Sequence, residues 1–145
     1  MTTISHSAIV PYTCAEMYDL VTNVNEYSDF LPWCGGSRII SSTPEKVVAE
    51  LRISYKKINK AFTTENTLMP NERMVMNLIE GPFKHLRGEW VFIRLDDHAC
   101  KVALELDFEF SSKLIAFALG PVFSNIANTF VDNFRQRAEQ VYGKR

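Results

Sequence analysis

The residues of this chain able to do acid–base, nucleophilic or metal chemistry are few and poorly placed. His6, His85 and His98 have no spacing that suits a metal site or a nucleophile pair. Cys14, Cys34 and Cys100 are odd in number, widely separated and form no Cys-x-x-Cys word, so neither zinc nor a disulfide framework is indicated. Glu105, Asp107 and Glu109 recur at alternate positions of one strand, so all three point into water. No glycine-rich phosphate loop or metal signature is present. The expectation is no catalytic residue, no metal and no cofactor beyond a bound ligand. What the chain offers instead is hydrocarbon. Leu106-Asp107-Phe108-Glu109-Phe110 hands over to an uncharged apolar run from Leu114 to Phe123, and a strand with aromatics on one face meeting a helix builds an oily groove.

Trp90, Phe92, Phe108 and Phe110 are the expected wall of that groove, with Phe123, Ile126 and Phe130 as its lid. Any one of them can equally pack in a filled core, since close packing is the default. Taken together, a curved sheet gripping one helix tends to leave space between them. Met76 adapts to irregular contents. Pro32-Trp33-Cys34 and Gly81-Pro82-Phe83 are turns that edge the mouth, which adds Trp33 and Phe83 to the site. At ~0.8 kcal/mol per buried CH₂, each five carbons of a hydrocarbon ligand contribute up to roughly 3 to 4 kcal/mol before ordering costs. A polar head on such a ligand would still want a donor, and Tyr55, Thr64, Asn77 and Tyr27 are the options.

The basic residues cluster at two hairpins, Lys56, Lys57 and Lys60 at one and Lys84, His85 and Arg87 at the other. Such runs are usually solvated surface. Side by side they would form an anionic-partner patch suited to phospholipid or nucleic-acid phosphates. Leu114 to Leu119 is apolar nearly all round, which fits burial better than transient contact with a membrane interface.

These residues need elements to position them. Thr2 to Val10 alternates as a strand, and Thr13-Cys14-Ala15-Glu16 has capping-box spacing for a helix. A second short helix over Glu26 to Phe30 stops at Pro32. Period-two alternation then runs through Val47–Tyr55, Lys60–Leu68, Met74–Leu78, Leu86–Ile93 and Cys100–Phe110, with turns at Lys56–Asn59, Pro70-Asn71-Glu72, Gly81-Pro82 and Asp96-Asp97. Ser111-Ser112 can cap a final helix whose inward stripe is Phe123, Ile126, Ala127, Phe130, Phe134, Ala138 and Val141. Gly120-Pro121 should kink or restart it, and Gly143 should end it. The order predicts an α+β fold, one domain over residues 1–145, with a curved antiparallel sheet wrapped around a long C-terminal helix.

Composition agrees. Sixteen basic and seventeen acidic residues give a formal charge of -1, which excludes a chain-wide basic field. No apolar run approaches the ~20 residues of a membrane span. The first residues have neither the charge nor the apolar core of a signal peptide, so a cytoplasmic location is expected, with peripheral contact at the inner membrane as the variant.

On this order sit words that resemble the START-like helix-grip superfamily, in its polyketide cyclase/coenzyme Q-binding branch. They are Met17-Tyr18-Asp19-Leu20-Val21, Tyr27-Ser28-Asp29-Phe30-Leu31-Pro32-Trp33-Cys34, Phe62-Thr63-Thr64, Glu80-Gly81-Pro82-Phe83-Lys84-His85-Leu86, Gly88-Glu89-Trp90 and Arg137-Ala138-Glu139-Gln140-Val141-Tyr142-Gly143. Ser28 departs from the proline expected there. The resemblance implies non-catalytic binding of a hydrophobic small molecule between sheet and helix, with ubiquinone or another polyprenyl lipid foremost, by a carrier or chaperone supporting respiration. For the ribosome-association toxin branch it implies binding to the large ribosomal subunit, a block on subunit joining, and a small ubiquitin-like antitoxin as partner. An aromatase/cyclase activity stands third, since no polar group stands out on the expected cavity face.

Overall fold

The computed structural model describes residues 2–145, so only Met1 of the amino-terminal segment lies outside it. The chain runs β1 (Thr2–Val10), α1 (Cys14–Thr22), a 3-10 turn (Val24–Glu26), α2 (Tyr27–Phe30), β2 (Cys34–Ser42), β3 (Lys46–Tyr55), β4 (Ile58–Met69), β5 (Arg73–Glu80), β6 (Phe83–Asp96), β7 (Ala99–Phe110) and α3 (Lys113–Tyr142). Strands β2 to β7 form an antiparallel meander, and β1 adds beside β7 to give seven strands in the order β1-β7-β6-β5-β4-β3-β2. The α+β helix-grip architecture read from the sequence is the one observed.

Local chemistry sets most boundaries. Thr13 and Glu16 exchange both bonds of the capping box, at 3.0 and 3.1 Å, and so start α1. The Ser112 hydroxyl accepts from the Ile115 N–H to start α3. Gly143, at φ 84°, ends it by donating to the Glu139 carbonyl. Alternation puts Leu86, Gly88, Trp90 and Phe92 of β6 and Val102, Leu104, Leu106 and Phe108 of β7 on one dry face. Bulges at Cys34/Gly36, Ile39/Ser41, Thr63/Thr64, Phe83/His85 and Arg94/Asp96 bend and twist this sheet. Its concave face receives Phe123, Ile126, Ala127, Phe130, Phe134 and Ala138 of α3.

Four expectations are corrected. Pro121 neither breaks nor restarts α3, because it stands on the solvent side, where the carbonyl it cannot satisfy is open to water. Val141 is exposed, not part of the buried stripe, since it falls in the last turn beyond the sheet. The run Leu114–Leu119 is not buried as a unit. Only Leu119 is, because β7 ends at Phe110 and the first turns of α3 stand past the end of the sheet. By length and composition α3 does contain a window apolar enough to span a bilayer, with 33% of that window buried, although Ser124, Asn125, Asn128 and Thr129 interrupt its apolar run.

The carboxyl end is tied to the junction of β1 and α1. The Tyr12 hydroxyl donates to the Gly143 carbonyl at 2.7 Å, and the Tyr142 hydroxyl to the Glu16 carbonyl at 3.0 Å. Arg145 grips the Glu16 carboxylate with two N–H bonds at 2.7 and 2.8 Å. That guanidinium, more than the cap itself, holds the Glu16 carboxyl below its ordinary 4.5. A carboxylate with a depressed folded value supports the fold above its unfolded value and stops doing so as pH falls through the folded one. Glu16→Gln keeps the cap and loses the charge. It should lower the urea midpoint slightly at neutral pH, with the difference from the parent closing in the acid window below pH 4.5; a difference that persists there would remove charge as its cause.

Candidate functional site

Between the concave sheet and α3 lies a void of about 60 Å³. Its walls come from Ala49 and Leu51 of β3, Phe62, Thr64 and Asn66 of β4, Met76 of β5, Leu86 and Gly88 of β6, and Leu104 and Leu106 of β7. Phe123, Ile126, Ala127 and Phe130 of α3 close it, and Val24, Tyr27 and Trp33 bound it on the side of the short helices. Gly88 leaves room at the floor: a Cβ there would have to push aside the Met76 terminal methyl, 2.5 Å away, and crowd a Leu106 methyl at 3.1 Å.

Two aromatic clusters keep the walls apart. At one end Phe123 meets Phe108 at 4.8 Å and Phe83 at 4.9 Å between ring centres, and Phe83 stacks on Phe110 at 5.3 Å. Gly81 makes this possible, at φ 154° and with a would-be Cβ only 2.6 Å from that of Phe62. At the other end Phe130 contacts Trp33 at 5.8 Å and Trp90 at 5.6 Å, while Trp90 also meets Phe134 at 5.3 Å and lies parallel to Phe92. Such tilted and edge-to-face pairs are rigid.

Of the residues singled out by sequence, Trp33, Met76, Phe123, Ile126 and Phe130 line the void. Phe83, Trp90, Phe92, Phe108 and Phe110 do not; they form the supporting clusters, because the strands carrying them run past the ends of the void. Tyr55 is misplaced by the sequence reading. The β3–β4 hairpin continues beyond the end of β5, whose pairing with β4 reaches only Thr63, so the Tyr55 ring is in water. Asn77 is likewise exposed, on the outer face of β5. Arg87 leaves the basic patch as well, lying on the outer face beside Glu89 at 3.7 Å and opposite Asp107 in the register.

The polar content of the void is small and of one kind. Thr64 donates from its hydroxyl to the Asn66 side-chain oxygen at 2.8 Å, both buried. Among the described residues the Asn66 amide N–H groups have no protein acceptor, and the buried Trp33 indole N–H has none. The Tyr27 hydroxyl is spent on the Val21 carbonyl, and burial pushes its pKa far up. Asn66 was missed in the sequence, though its place on the inward side of Phe62, Thr64 and Asn66 was the signal. Burial raises the thiol of Cys34, and pushes that of Cys100 up to about 12, where a neighbouring Cys14 adds to the effect. These two thiols are no nucleophiles at neutral pH. Among the described residues no group of three or more His, Cys, Asp or Glu is placed to hold a metal. The arrangement can bury hydrocarbon and donate hydrogen bonds to an oxygen.

Comparison with known proteins places the chain. The sequence model described as polyketide cyclase / dehydrase and lipid transport matches residues 10–135, and the chain belongs to that family. It is 47% identical to the ribosome association toxin RatA of Escherichia coli strain K12, over all of this chain and 92% of that one. It is 26% identical to the mitochondrial coenzyme Q-binding protein COQ10 homolog B of Xenopus laevis, over 97% of this chain and 59% of that one. Its fold superposes on the ZhuI aromatase/cyclase of a Streptomyces species with a TM-score of 0.84, at 17% identity and 99% of each chain.

Phe130 touches Tyr27, Trp33, Trp90 and Phe134 and lines the void. Phe130→Ala should cost about 3–5 kcal/mol in urea unfolding, the usual range for a buried phenylalanine. A loss under about 1 kcal/mol would mean that the ring holds no wall.

Proposed function

We propose that the protein is a non-catalytic binder of an apolar molecule carrying an oxygen acceptor, with ubiquinone or another polyprenyl quinone as the best fit. The observation that carries this reading is an interior lined by hydrocarbon in which the buried Trp33 indole N–H has no protein partner and Asn66 uses only its side-chain oxygen, on the Thr64 hydroxyl. The wall supplies no acid–base pair and no thiolate, which argues against a cyclase reaction. The coenzyme Q-binding relative supports the choice of ligand.

At about 60 Å³ the void is too small for a quinone ring. A cavity of about 150 Å³ holds a benzene, a ring smaller than a substituted quinone. Uptake therefore requires α3 to move outward, or the sheet to open where β5 and β6 part. Their pairing covers only Arg73–Asn77 against Arg87–Val91, leaving Leu78–Glu80 and Phe83–Leu86 unjoined to each other.

A second reading, association with the large ribosomal subunit, is favoured by the relative at 47% identity that is named for ribosome association. The two readings use different surfaces, interior and exterior, and one chain can carry both. Of the two, ribosome association has the nearer named relative and ligand binding has the interior.

Organic extraction of freshly purified protein, followed by mass spectrometry, should yield a polyprenyl quinone or related isoprenoid. Asn66→Leu should weaken binding of a short-chain ubiquinone about five- to ten-fold, the worth of one hydrogen bond; unchanged binding would remove Asn66 as the head anchor. For the second reading, the protein should sediment with large subunits in a low-salt sucrose gradient and leave them at high salt. Absence from that fraction at low salt would count against it.

A further inference from the structure

At the end of the sheet where β3 turns into β4, exposed hydrocarbon and unpaired positive charge occur together. The first turns of α3 expose Leu114 at 76% and Phe117 at 85%. With Pro121 these stand at i, i+3 and i+7 on the face of the helix turned to solvent. The hairpin tip packs against the next face across a shallow groove, Lys57, Ile58 and Lys60 opposite Ile115 and Ala118. At the tip Tyr55 is 44% exposed, with the Lys56 ammonium 5.4 Å from its ring centre. Lys113 opens the helix. Among the described residues, none of Lys56, Lys57, Lys60 and Lys113 has a carboxylate within ion-pair distance, whereas Arg38, Lys46, Arg73 and Arg87 on the sheet all do.

We propose that this end docks onto the surface of an anionic phospholipid bilayer. Leu114, Phe117 and Tyr55 enter the boundary between headgroups and acyl chains, and the four lysines meet the lipid phosphates. A tyrosine suits that depth, apolar in its ring and wet at its hydroxyl. An RNA surface would answer the lysines but has no use for Leu114 and Phe117; a bilayer answers both. The contact is interfacial, because Phe123, Phe130 and Phe134 of the same helix are held in the sheet and cannot enter lipid. Phe123 lines the void two turns beyond Leu114, so the docked end adjoins the interior. The docking itself rests on the surface alone and stands whether or not the interior holds a quinone.

Flotation of the full chain with vesicles tests it. The protein should float with phosphatidylglycerol-rich vesicles at low salt, weakly with pure phosphatidylcholine, and less with either at high salt. A lysine near an anionic surface strengthens binding about five-fold, so Lys56→Glu with Lys57→Glu should weaken it at least about ten-fold. Phe117→Asp should release the protein without changing its melting temperature, as the side chain is 85% exposed. Failure to float with anionic vesicles, or flotation of Phe117→Asp equal to the parent, overturns the proposal. So does a lysine double variant that loses large-subunit association while binding vesicles as before, which would assign the patch to RNA. Extraction of a quinone from the purified protein is a separate readout and does not bear on this one.

Discussion

A single helix, about 10 Å across, covers only two or three strands of a flat sheet whose strands lie ~4.8 Å apart. The dry faces of seven strands can therefore meet the stripe Phe123, Ile126, Phe130 and Phe134 of α3 only if the sheet bends around it. The bulges on β2, β5 and β6 supply the bend, and the close approach at Gly88 lets the floor of the trough come up to Met76 and Leu106. The His6 ring, 2.7 Å from the Asn128 side-chain oxygen, and the bonds between the end of α3 and the β1–α1 junction then hold the helix in the trough.

Curvature has a consequence for packing. Rigid aromatic clusters meet at each end of the helix, at Phe83, Phe108, Phe110 and Phe123 and again at Trp33, Trp90, Phe130 and Phe134. Between them small or flexible side chains, Ala49, Gly88, Ala127 and Met76, leave the interior incompletely filled. The same clusters that stabilise the fold thus prop open the space that makes ligand binding conceivable.

Much of this was readable from residue order. Capping residues act within one helical turn, so Thr13, Ser112 and Gly143 were legible without knowledge of the fold. Alternation along β6 and β7 is equally local. What sequence could not give was where each strand stops relative to its neighbours. Tyr55 obeys the inward parity of β3 yet lies past the end of β5, and Leu114 and Phe117 lie past the end of β7. Nor does parity distinguish a residue that lines a void from one that packs behind it, which is why Trp90 and Phe108 were placed with Phe130 and Met76. Arg87 looked free although Glu89 lies two residues along the same face of β6, at 3.7 Å; only Asp107, opposite it in the register, becomes a neighbour through pairing of β6 with β7.

The account stands on the interior between sheet and helix being the place where an apolar molecule enters. Methyl-resolved NMR during titration with a short-chain ubiquinone addresses that directly. Shifts are expected at Ala49, Leu51, Leu104, Leu106, Ile126 and Ala127, with those of Val10 and Val75, away from the void, unmoved. Shifts confined to surface methyls such as those of Leu114, or none at all at saturating ligand, would contradict it.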